Sequence, residues 1–147
     1  MNQYFPGHKS ISVAARFSSL PSLLSLIGSD ANGASSPARH RAMMRATLAI
    51  EELLANSIHH GYEGESDKPV WLSVETLGST IRVTYMDAAA EFDPFAGLAD
   101  FSEHAQRDLE QRHIGGLGRM LMKETARHCA YRRDNGRNVI TLEYAAD

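Results

Sequence analysis

The sequence predicts an α+β fold of two layers, in which helices cover one face of a mostly antiparallel, mixed β-sheet. Three observations support this prediction. Residues 38–60 contain neither glycine nor proline and are rich in helix-forming side chains, so they indicate a long helix. Residues 70–76 and 80–87 alternate apolar and polar side chains around a short turn, as the strands of a β-hairpin do. Residues 117–128 return to a helical pattern before a second hairpin begins.

The other elements follow from the same patterns. Residues 11–15 alternate and predict a first strand, and residues 20–27 predict a short helix. Residues 28–37 concentrate turn formers and predict a loop. The second hairpin is predicted to pair residues 130–133 with residues 138–144 around Asp134-Asn135-Gly136. Residues 94–114 show little periodicity and are long for a passive loop, so we expect a mobile lid there.

Length and composition indicate one soluble domain that spans residues 1–147. The chain has 147 residues, of which 43% are hydrophobic and 22% charged, as is usual for globular proteins. No apolar stretch approaches the roughly 20 residues needed to span a bilayer, and the first residues do not resemble a secretory signal. Cys129 is the single cysteine, which excludes an internal disulfide and a metal site built on several thiolates. We therefore expect a cytoplasmic protein with no membrane contact.

The charge distribution gives no reason to expect nucleic acid as a partner. The net charge is -3 and the pI is about 6.1, whereas domains that bind nucleic acid are usually basic. Four arginines, at positions 127, 132, 133 and 137, stand out against this background. We interpret them as a solvated rim around a turn, without a role in a functional site.

A run of glycines marks the start of the predicted last helix. Gly115, Gly116 and Gly118 precede the helical residues that continue from Arg119. Such a turn exposes backbone N–H groups at the positive end of a helix, where phosphate oxygens can approach closely. The spacing matches neither the dinucleotide fingerprint nor the P-loop, so on its own this run indicates only a turn.

Three polar side chains complete the candidate site. Glu52 and Asn56 are four residues apart on the polar face of the predicted long helix, where they lie side by side. A carboxylate there can accept a proton, and an amide oxygen can complete the ligand shell of magnesium. Asp87 ends a predicted strand where the chain turns towards the lid, a common place for a functional carboxylate. Each of these side chains alone is more often a solvated or turn-capping group.

In combination and in this order, these motifs resemble a known family. LAIEELLANSIHHGY at residues 48–62, then Asp87 with EFDP, then GGLGRMLMK at residues 115–123, resemble the anti-sigma-factor serine/threonine kinases. That family belongs to the GHKL superfamily of histidine-kinase-like ATPases, and the resemblance extends from about residue 10 to residue 144. It implies the two-layer α/β sandwich of the Bergerat type.

The resemblance also implies a role for each matching residue. It implies that Glu52 is the catalytic base and that Asn56 binds the metal, with ATP and Mg2+ as the cofactors. Asp87 corresponds to the aspartate that accepts a hydrogen bond from the adenine amino group, and the glycines to the loop that holds the phosphates. Arg112 lies about one residue from an arginine that the family often carries. The expected ATP-binding set is Asn56, His60, Asp87, Ala89, Phe92, Arg112, Gly115, Gly116, Leu117, Gly118 and Asn138.

Two departures from the family pattern concern the nucleotide pocket. Asp87 is followed by Ala88-Ala89-Ala90, so Ala89 replaces a glycine that would let the backbone approach the nucleotide closely. Arg137-Asn138 stands where the family usually has a Gly-Thr pair, which leaves Asn138 as a polar substitute. Both departures predict a nucleotide pocket altered from the family norm.

Three functions fit these observations. The first is an ATP-dependent serine/threonine protein kinase that phosphorylates a STAS-domain anti-anti-sigma factor, sequesters a sigma factor and so regulates transcription. The second is a non-catalytic partner switch in which nucleotide binding selects the partner. The third is the catalytic domain of a histidine kinase, which the predicted first strand disfavours because a phosphoacceptor helix would stand there instead. The resemblance further suggests a homodimer formed through the first strand.

Overall fold

The computed structural model describes residues 9–29, 36–98 and 114–147. They form eight principal elements in the order β1 (Lys9–Ala14), α1 (Leu20–Ser29), α2 (Pro37–Asn56), β2 (Pro69–Leu77), β3 (Thr80–Asp87), α3 (Ile114–Thr125), β4 (His128–Asp134) and β5 (Arg137–Ala145). A short 3₁₀ turn, Phe17–Ser19, precedes α1, and a π-helical turn, Ser57–Gly61, follows α2. The predicted α+β class is confirmed.

The five strands form one sheet in the order β1-β2-β3-β5-β4. All four strand pairs are antiparallel, so the described strands make a purely antiparallel sheet rather than the mixed one we expected. Both predicted hairpins are present, and their turns are one residue shorter than the predicted Leu77-Gly78-Ser79 and Asp134-Asn135-Gly136, because Leu77 pairs with Thr80 and Asp134 with Arg137. In the second turn φ is 50° at Asn135 and 77° at Gly136, as the hairpin turn favoured by Asn-Gly requires.

The helices cover one face of this sheet and enclose the main core. On that face three sheet rows, Leu72–Tyr85–Ile140, Val74–Val83–Leu142 and Thr76–Ile81–Tyr144, run across β2, β3 and β5. Helix α2 buries an alanine-rich stripe against these rows, which allows close packing. The buried residues of this core include Leu23, Ala42, Ala46, Ile50, Leu53, Leu54, Ile58, Leu72, Val83, Tyr85 and Leu142.

Local chemistry explains where α2 begins, but the sequence placed its end too late. The Ser36 Oγ atom accepts a hydrogen bond from the Arg39 backbone N–H at 3.0 Å, and Pro37 takes the first helical position. The α-helix ends at Asn56, and the next five residues form the π-helical turn. The prediction of a continuous helix to His60 missed this change because apolar side chains continue the helical spacing through Ile58.

The last helix begins earlier than its sequence pattern indicated. Helix α3 begins at Ile114 and ends at Thr125, whereas the prediction was residues 117–128. The backbone of Gly115 and Gly116 is therefore already helical, and Gly118 lies within the helix rather than in a turn before it. His128 is the first residue of β4, so the predicted helix also ended too late.

Among the described residues, none of the helices combines the length and apolar character that a membrane span requires. The expected lid at residues 94–114 lies mostly outside the described residues. Its first part, up to Leu98, is described, and its last residue, Ile114, belongs to α3.

Candidate functional site

Asp87 is the centre of a buried hydrogen-bond network at the end of β3. The carboxylate is only 6% exposed. Its Oδ2 atom accepts a hydrogen bond from the Ser57 hydroxyl at 2.6 Å, and its Oδ1 atom accepts from Asn138 Nδ2 at 2.8 Å and from the Ala89 backbone N–H at 3.2 Å. Three donors therefore compensate the loss of water around this carboxylate.

Tyr85 extends this network into the core. Its hydroxyl lies 2.7 Å from the Ser57 Oγ atom. Because the one hydroxyl proton of Ser57 is donated to Asp87, Tyr85 is the donor in this contact. Burial raises the pKa of Tyr85 well above its usual value, so the phenol keeps the proton it donates.

Asn138, at the beginning of β5, is hydrogen-bonded to the chain that follows Asp87. Besides Asp87, its Nδ2 atom donates to the Ala90 carbonyl at 2.9 Å. Its Oδ1 atom accepts from the Phe92 N–H at 3.2 Å, from the Tyr131 hydroxyl at 2.7 Å and from Arg133 Nη1 at 3.0 Å. The side chain is 2% exposed, and its amide makes five hydrogen bonds within the protein. We call this set of residues (Asp87, Ser57, Tyr85, Asn138, Tyr131 and Arg133) the Asp87 network.

The chain after Asp87 folds back over this network. Phe92 and Pro94 line a cavity together with Asp87 and Asn138, and the cavity measures about 10 Å³. That volume holds about one water molecule. The Phe92 ring is stacked on the His60 ring, with centroids 5.3 Å apart, and the Arg119 guanidinium lies 5.8 Å from the Phe92 ring centroid. The described structure is therefore closed around Asp87.

Ala89, at the position where the resemblance implies a glycine, packs against Gly61 at the end of the π-helical turn. A Cβ atom added to Gly61 would lie 2.6 Å from the Ala89 Cβ atom, too close for two side chains. Ala89 is 4% exposed. The extra methyl group is therefore accommodated because the residue opposite it has no side chain.

Glu52 and Asn56 form a second polar group on α2, which we call the Glu52–Asn56 pair. Asn56 is 9% exposed, and Glu52 is half-buried. The Glu52 Oε1 and Asn56 Nδ2 atoms are both buried, and among the described residues neither has a hydrogen-bond partner of ordinary geometry. Burial raises the pKa of Glu52 to about 7, against the opposing effects of the Arg119 charge and the Asn56 amide. Such a carboxyl group can exchange a proton near neutral pH.

Gly118 provides the space in which the Glu52 carboxylate lies. A Cβ atom at Gly118 would overlap the Glu52 carboxylate. Gly118 is thus in direct contact with Glu52, and Gly115 and Gly116 lie in the first turn of the same helix. Glu52 and Gly118 also line an open cavity of about 300 Å³ between α2 and α3.

The structure brings most of the residues predicted from the sequence together in two groups. Asp87, Ala89, Phe92 and Asn138 belong to the first, with the exposed His60 at its rim. Glu52, Asn56 and Gly118 belong to the second. Leu117 is half-buried in α3. Arg112 lies outside the described residues.

Sequence reasoning missed three contributors to the site: Ser57, Gly61 and Arg133. Ser57 follows Asn56 directly, and Gly61 stands just after the predicted long helix of residues 38–60. Arg133 was assigned to a solvated rim, yet its guanidinium donates to the Ala89 carbonyl at 2.8 Å. Its position could have been found from the predicted hairpin, because a two-residue turn at Asn135-Gly136 pairs residue 133 with Asn138.

The described residues contain no group of three or more His, Cys, Asp or Glu side chains that could hold a metal by themselves. Magnesium is commonly bound by one or two protein oxygens together with phosphate oxygens of a nucleotide. A single amide such as Asn56 fits that second kind of site.

Comparison with known proteins agrees with this geometry. The pattern of the histidine kinase-like ATPase domain matches residues 18–144. The chain is 24% identical over 106 residues to the serine-protein kinase RsbW of Listeria innocua, which covers 71% of this chain and 68% of that protein. RsbW proteins of Listeria monocytogenes match with the same identity and coverage. The resemblance found in the sequence is confirmed, and the chain belongs to the histidine kinase-like ATPase domain family.

Proposed function

We propose that this protein is a Mg-ATP-dependent serine/threonine protein kinase that phosphorylates a STAS-domain anti-anti-sigma factor and also sequesters a sigma factor. The observation that carries the proposal is the Glu52–Asn56 pair. Among the described residues, its Oε1 and Nδ2 atoms are buried without a partner, which is costly unless a ligand satisfies them. The name of the similar Listeria proteins, serine-protein kinase, supports the same reaction.

The residues present fit a magnesium-bound nucleotide. Asn56 would offer its amide oxygen to the ion, and the first turn of α3 would offer backbone N–H groups to the phosphates. Bound there, magnesium would supply positive charge to the phosphate oxygens. At the other end of the site, Asp87 Oδ2 accepts one hydrogen bond, from Ser57, and retains capacity for an adenine amino group.

In the proposed reaction, the hydroxyl oxygen of a partner serine or threonine forms a bond to the γ-phosphorus, and the bond from that phosphorus to ADP breaks. Glu52 takes the hydroxyl proton, for which a pKa of about 7 is well suited. Gly118 lets this carboxylate lie against α3, next to where the phosphates would bind. Arg119, close enough to lower the pKa of Glu52, adds positive charge on the same side.

The experiment is a transfer assay with [γ-32P]ATP, Mg2+ and purified STAS-domain proteins encoded in the same genome. We expect the wild type to label one of them, and Glu52→Gln to reduce the rate at least about 100-fold. Glu51→Gln is the matched control, because Glu51 is the exposed neighbouring carboxylate on α2. No labelling of any STAS protein by the wild type, or equal rates in the two variants, would contradict the kinase proposal.

One observation favours the second function, a non-catalytic partner switch. The cavity beside Asp87 has room for about one water molecule, and the Ala89 methyl group fills space that a glycine would leave open. Binding a nucleotide then requires Phe92 and Pro94 to move, which would couple nucleotide binding to partner choice. Calorimetry distinguishes the two functions, since a switch binds ADP and ATP yet transfers phosphate to no partner.

A further inference from the structure

We propose that Arg133 is a positioning residue of the nucleotide site, which holds the backbone after Asp87 in place without touching the nucleotide. The inference rests on the proposed function and adds a residue to it. Arg133 lies directly opposite Asn138 in the β4–β5 pair, and Asn138 lies opposite Asp87 in the β3–β5 pair. The three side chains therefore share one row on the helix-covered face of the sheet.

Arg133 is hydrogen-bonded to Ala89, the residue at which the resemblance implies a glycine. Its Nη1 atom donates to the Ala89 carbonyl at 2.8 Å and to Asn138 Oδ1 at 3.0 Å. Asn138 in turn binds the Ala90 carbonyl and the Phe92 N–H. The backbone from Ala89 to Phe92 is thus bound at three points to the β4–β5 hairpin, and Arg133 supplies the charged donor among them.

A fixed backbone is needed at this position. The Ala89 N–H donates to the Asp87 Oδ1 atom, so a shift of this segment would also shift the carboxylate expected to receive adenine. The Ala89 methyl group lies beside Gly61, where an added Cβ atom would be only 2.6 Å from it, so this segment packs closely against the π-helical turn. Arg133 fixes the peptide unit that follows Ala89 and thereby holds the Ala89 N–H against the Asp87 carboxylate.

Arg132 provides a matched control one residue away. Its side chain lies on the opposite face of the sheet, opposite Val139. In its ion pair with Asp134, at 3.3 Å, the two side chains are 66% and 50% exposed, so the pair contributes little to stability. Removing Arg132 takes away the same charge from the same hairpin but leaves the Ala89 carbonyl bonded.

The test measures binding of ADP and adenosine by calorimetry to the wild type, Arg133→Ala, Arg132→Ala and Arg133→Lys. Because Arg133→Ala loses a charge-assisted hydrogen bond at the expected adenine end of the site, its affinity for both ligands should fall about tenfold. Arg132→Ala should stay within about twofold of the wild type, since its partners lie on the other face. Arg133→Lys should recover part of the loss, because an ammonium group can replace one donor but not the planar fork.

Two further readouts separate positioning from a general structural role. In the transfer assay, Arg133→Ala should raise the KM for ATP about tenfold and leave kcat nearly unchanged, because the Glu52–Asn56 pair is untouched. In the nucleotide-free protein, the 15N amide resonance of Ala90 should shift in Arg133→Ala and not in Arg132→Ala. This second readout needs no nucleotide at all.

Equal affinities of the two alanine variants for ADP, or a fall in kcat with an unchanged KM, would overturn the inference. If Arg133→Ala does not fold, the affinities of Arg133→Lys and Arg132→Lys for ADP are compared instead. Failure of the wild type to bind ADP would overturn the proposed function, and the inference would fall with it. Wild-type binding with no difference between the variants removes only the role of Arg133.

Discussion

The two halves of the candidate site are built in opposite ways. In the Asp87 network every described bond is made within the protein, and Asn138 alone takes part in five. In the Glu52–Asn56 pair, two buried polar atoms have no partner among the described residues, and burial raises the pKa of Glu52 to about 7. Apart from the remaining capacity of Asp87 Oδ2, the first half makes its hydrogen bonds without a ligand, whereas the second leaves two buried atoms to be satisfied. The contrast indicates that the protein fixes one end of the site by its own bonds and leaves the other open to interactions with a ligand.

The substitution with the largest expected effect removes Asp87, the central residue of the Asp87 network. Asp87→Ala leaves the Ser57 hydroxyl and the Asn138 amide buried with fewer partners. We expect the free energy of unfolding to fall by about 3–5 kcal/mol, since each unpaired buried group costs about 1–3 kcal/mol. Urea unfolding measures this loss. Asp67→Ala, which removes an exposed ion pair with Arg16, is the control and should change stability by less than about 1 kcal/mol.

A smaller loss for Asp87→Ala than for Asp67→Ala would show that the network contributes no rigidity, and the contrast would be lost.

Adding a methyl group at Gly118 tests how closely the second half is packed. Gly118→Ala should destabilise the protein by about 2 kcal/mol, because the new Cβ atom overlaps the Glu52 carboxylate. Gly28→Ala is the control, since Gly28 is also helical and has open space around it. That variant should gain stability, by up to about 1 kcal/mol. Thermal unfolding of both variants gives the comparison.

The cause can be checked in a double-mutant cycle. In a Glu52→Ala background the cost of Gly118→Ala should largely disappear, and an undiminished cost would mean that the overlap is not with Glu52.

The contact between Gly61 and Ala89 allows a similar test beside the Asp87 network. Gly61→Ala should cost about 1–2 kcal/mol, because two Cβ atoms cannot approach to 2.6 Å. In an Ala89→Gly background the same substitution should be nearly neutral. Urea unfolding of the four proteins yields the coupling energy, and a value near zero would mean that the two residues adjust independently.

Neutralising Glu52 should produce the smallest effect, and the size of the effect should depend on pH. Because its pKa is raised from 4.5 to about 7, the folded protein binds more protons than the unfolded chain between these values. Stability therefore falls as the pH rises through that window. Glu52→Gln removes this fall, so the variant should melt at a higher temperature than the wild type at pH 8 and show little gain at pH 5. Partial exposure of Glu52 keeps the gain modest.

Melting curves at the two pH values in the absence of nucleotide measure this effect, with Glu51→Gln as the control. An equal gain at pH 5 and pH 8 would indicate a cause other than desolvation of the carboxylate.

Much of the fold could be predicted from short-range patterns. Both hairpins were predicted with their turns, since Asn135-Gly136 and Gly78-Ser79 specify tight turns wherever they stand between alternating segments. The limits of the helices were harder to predict: α3 begins and ends three residues earlier than the predicted 117–128, and the predicted end of α2 falls within the π-helical turn.

The sequence indicated which residues belong to the candidate site, but it did not indicate which hydrogen bonds they form. The order of Glu52, Asn56, Asp87 and the glycines was visible in the chain, and the family match is consistent with it. The role of Arg133 was missed, because four arginines near a turn look like a solvated surface until strand register places one of them beside Asn138. Asn138 was proposed as a nucleotide contact, yet its amide is occupied by bonds within the protein.

By itself the sequence determined the elements, their order and the residue types that can bind a nucleotide. These properties depend on neighbours within a few residues, through helical and strand periodicity and turn chemistry. The tertiary structure alone decided which polar atoms keep spare capacity: within the described residues, the Asn138 amide makes five hydrogen bonds, and two buried atoms of the Glu52–Asn56 pair make none. It also decided that Ala89 is tolerated, since Gly61 faces it. Hydrogen-bond capacity and free space are set by residues distant in sequence, and no local pattern encodes them.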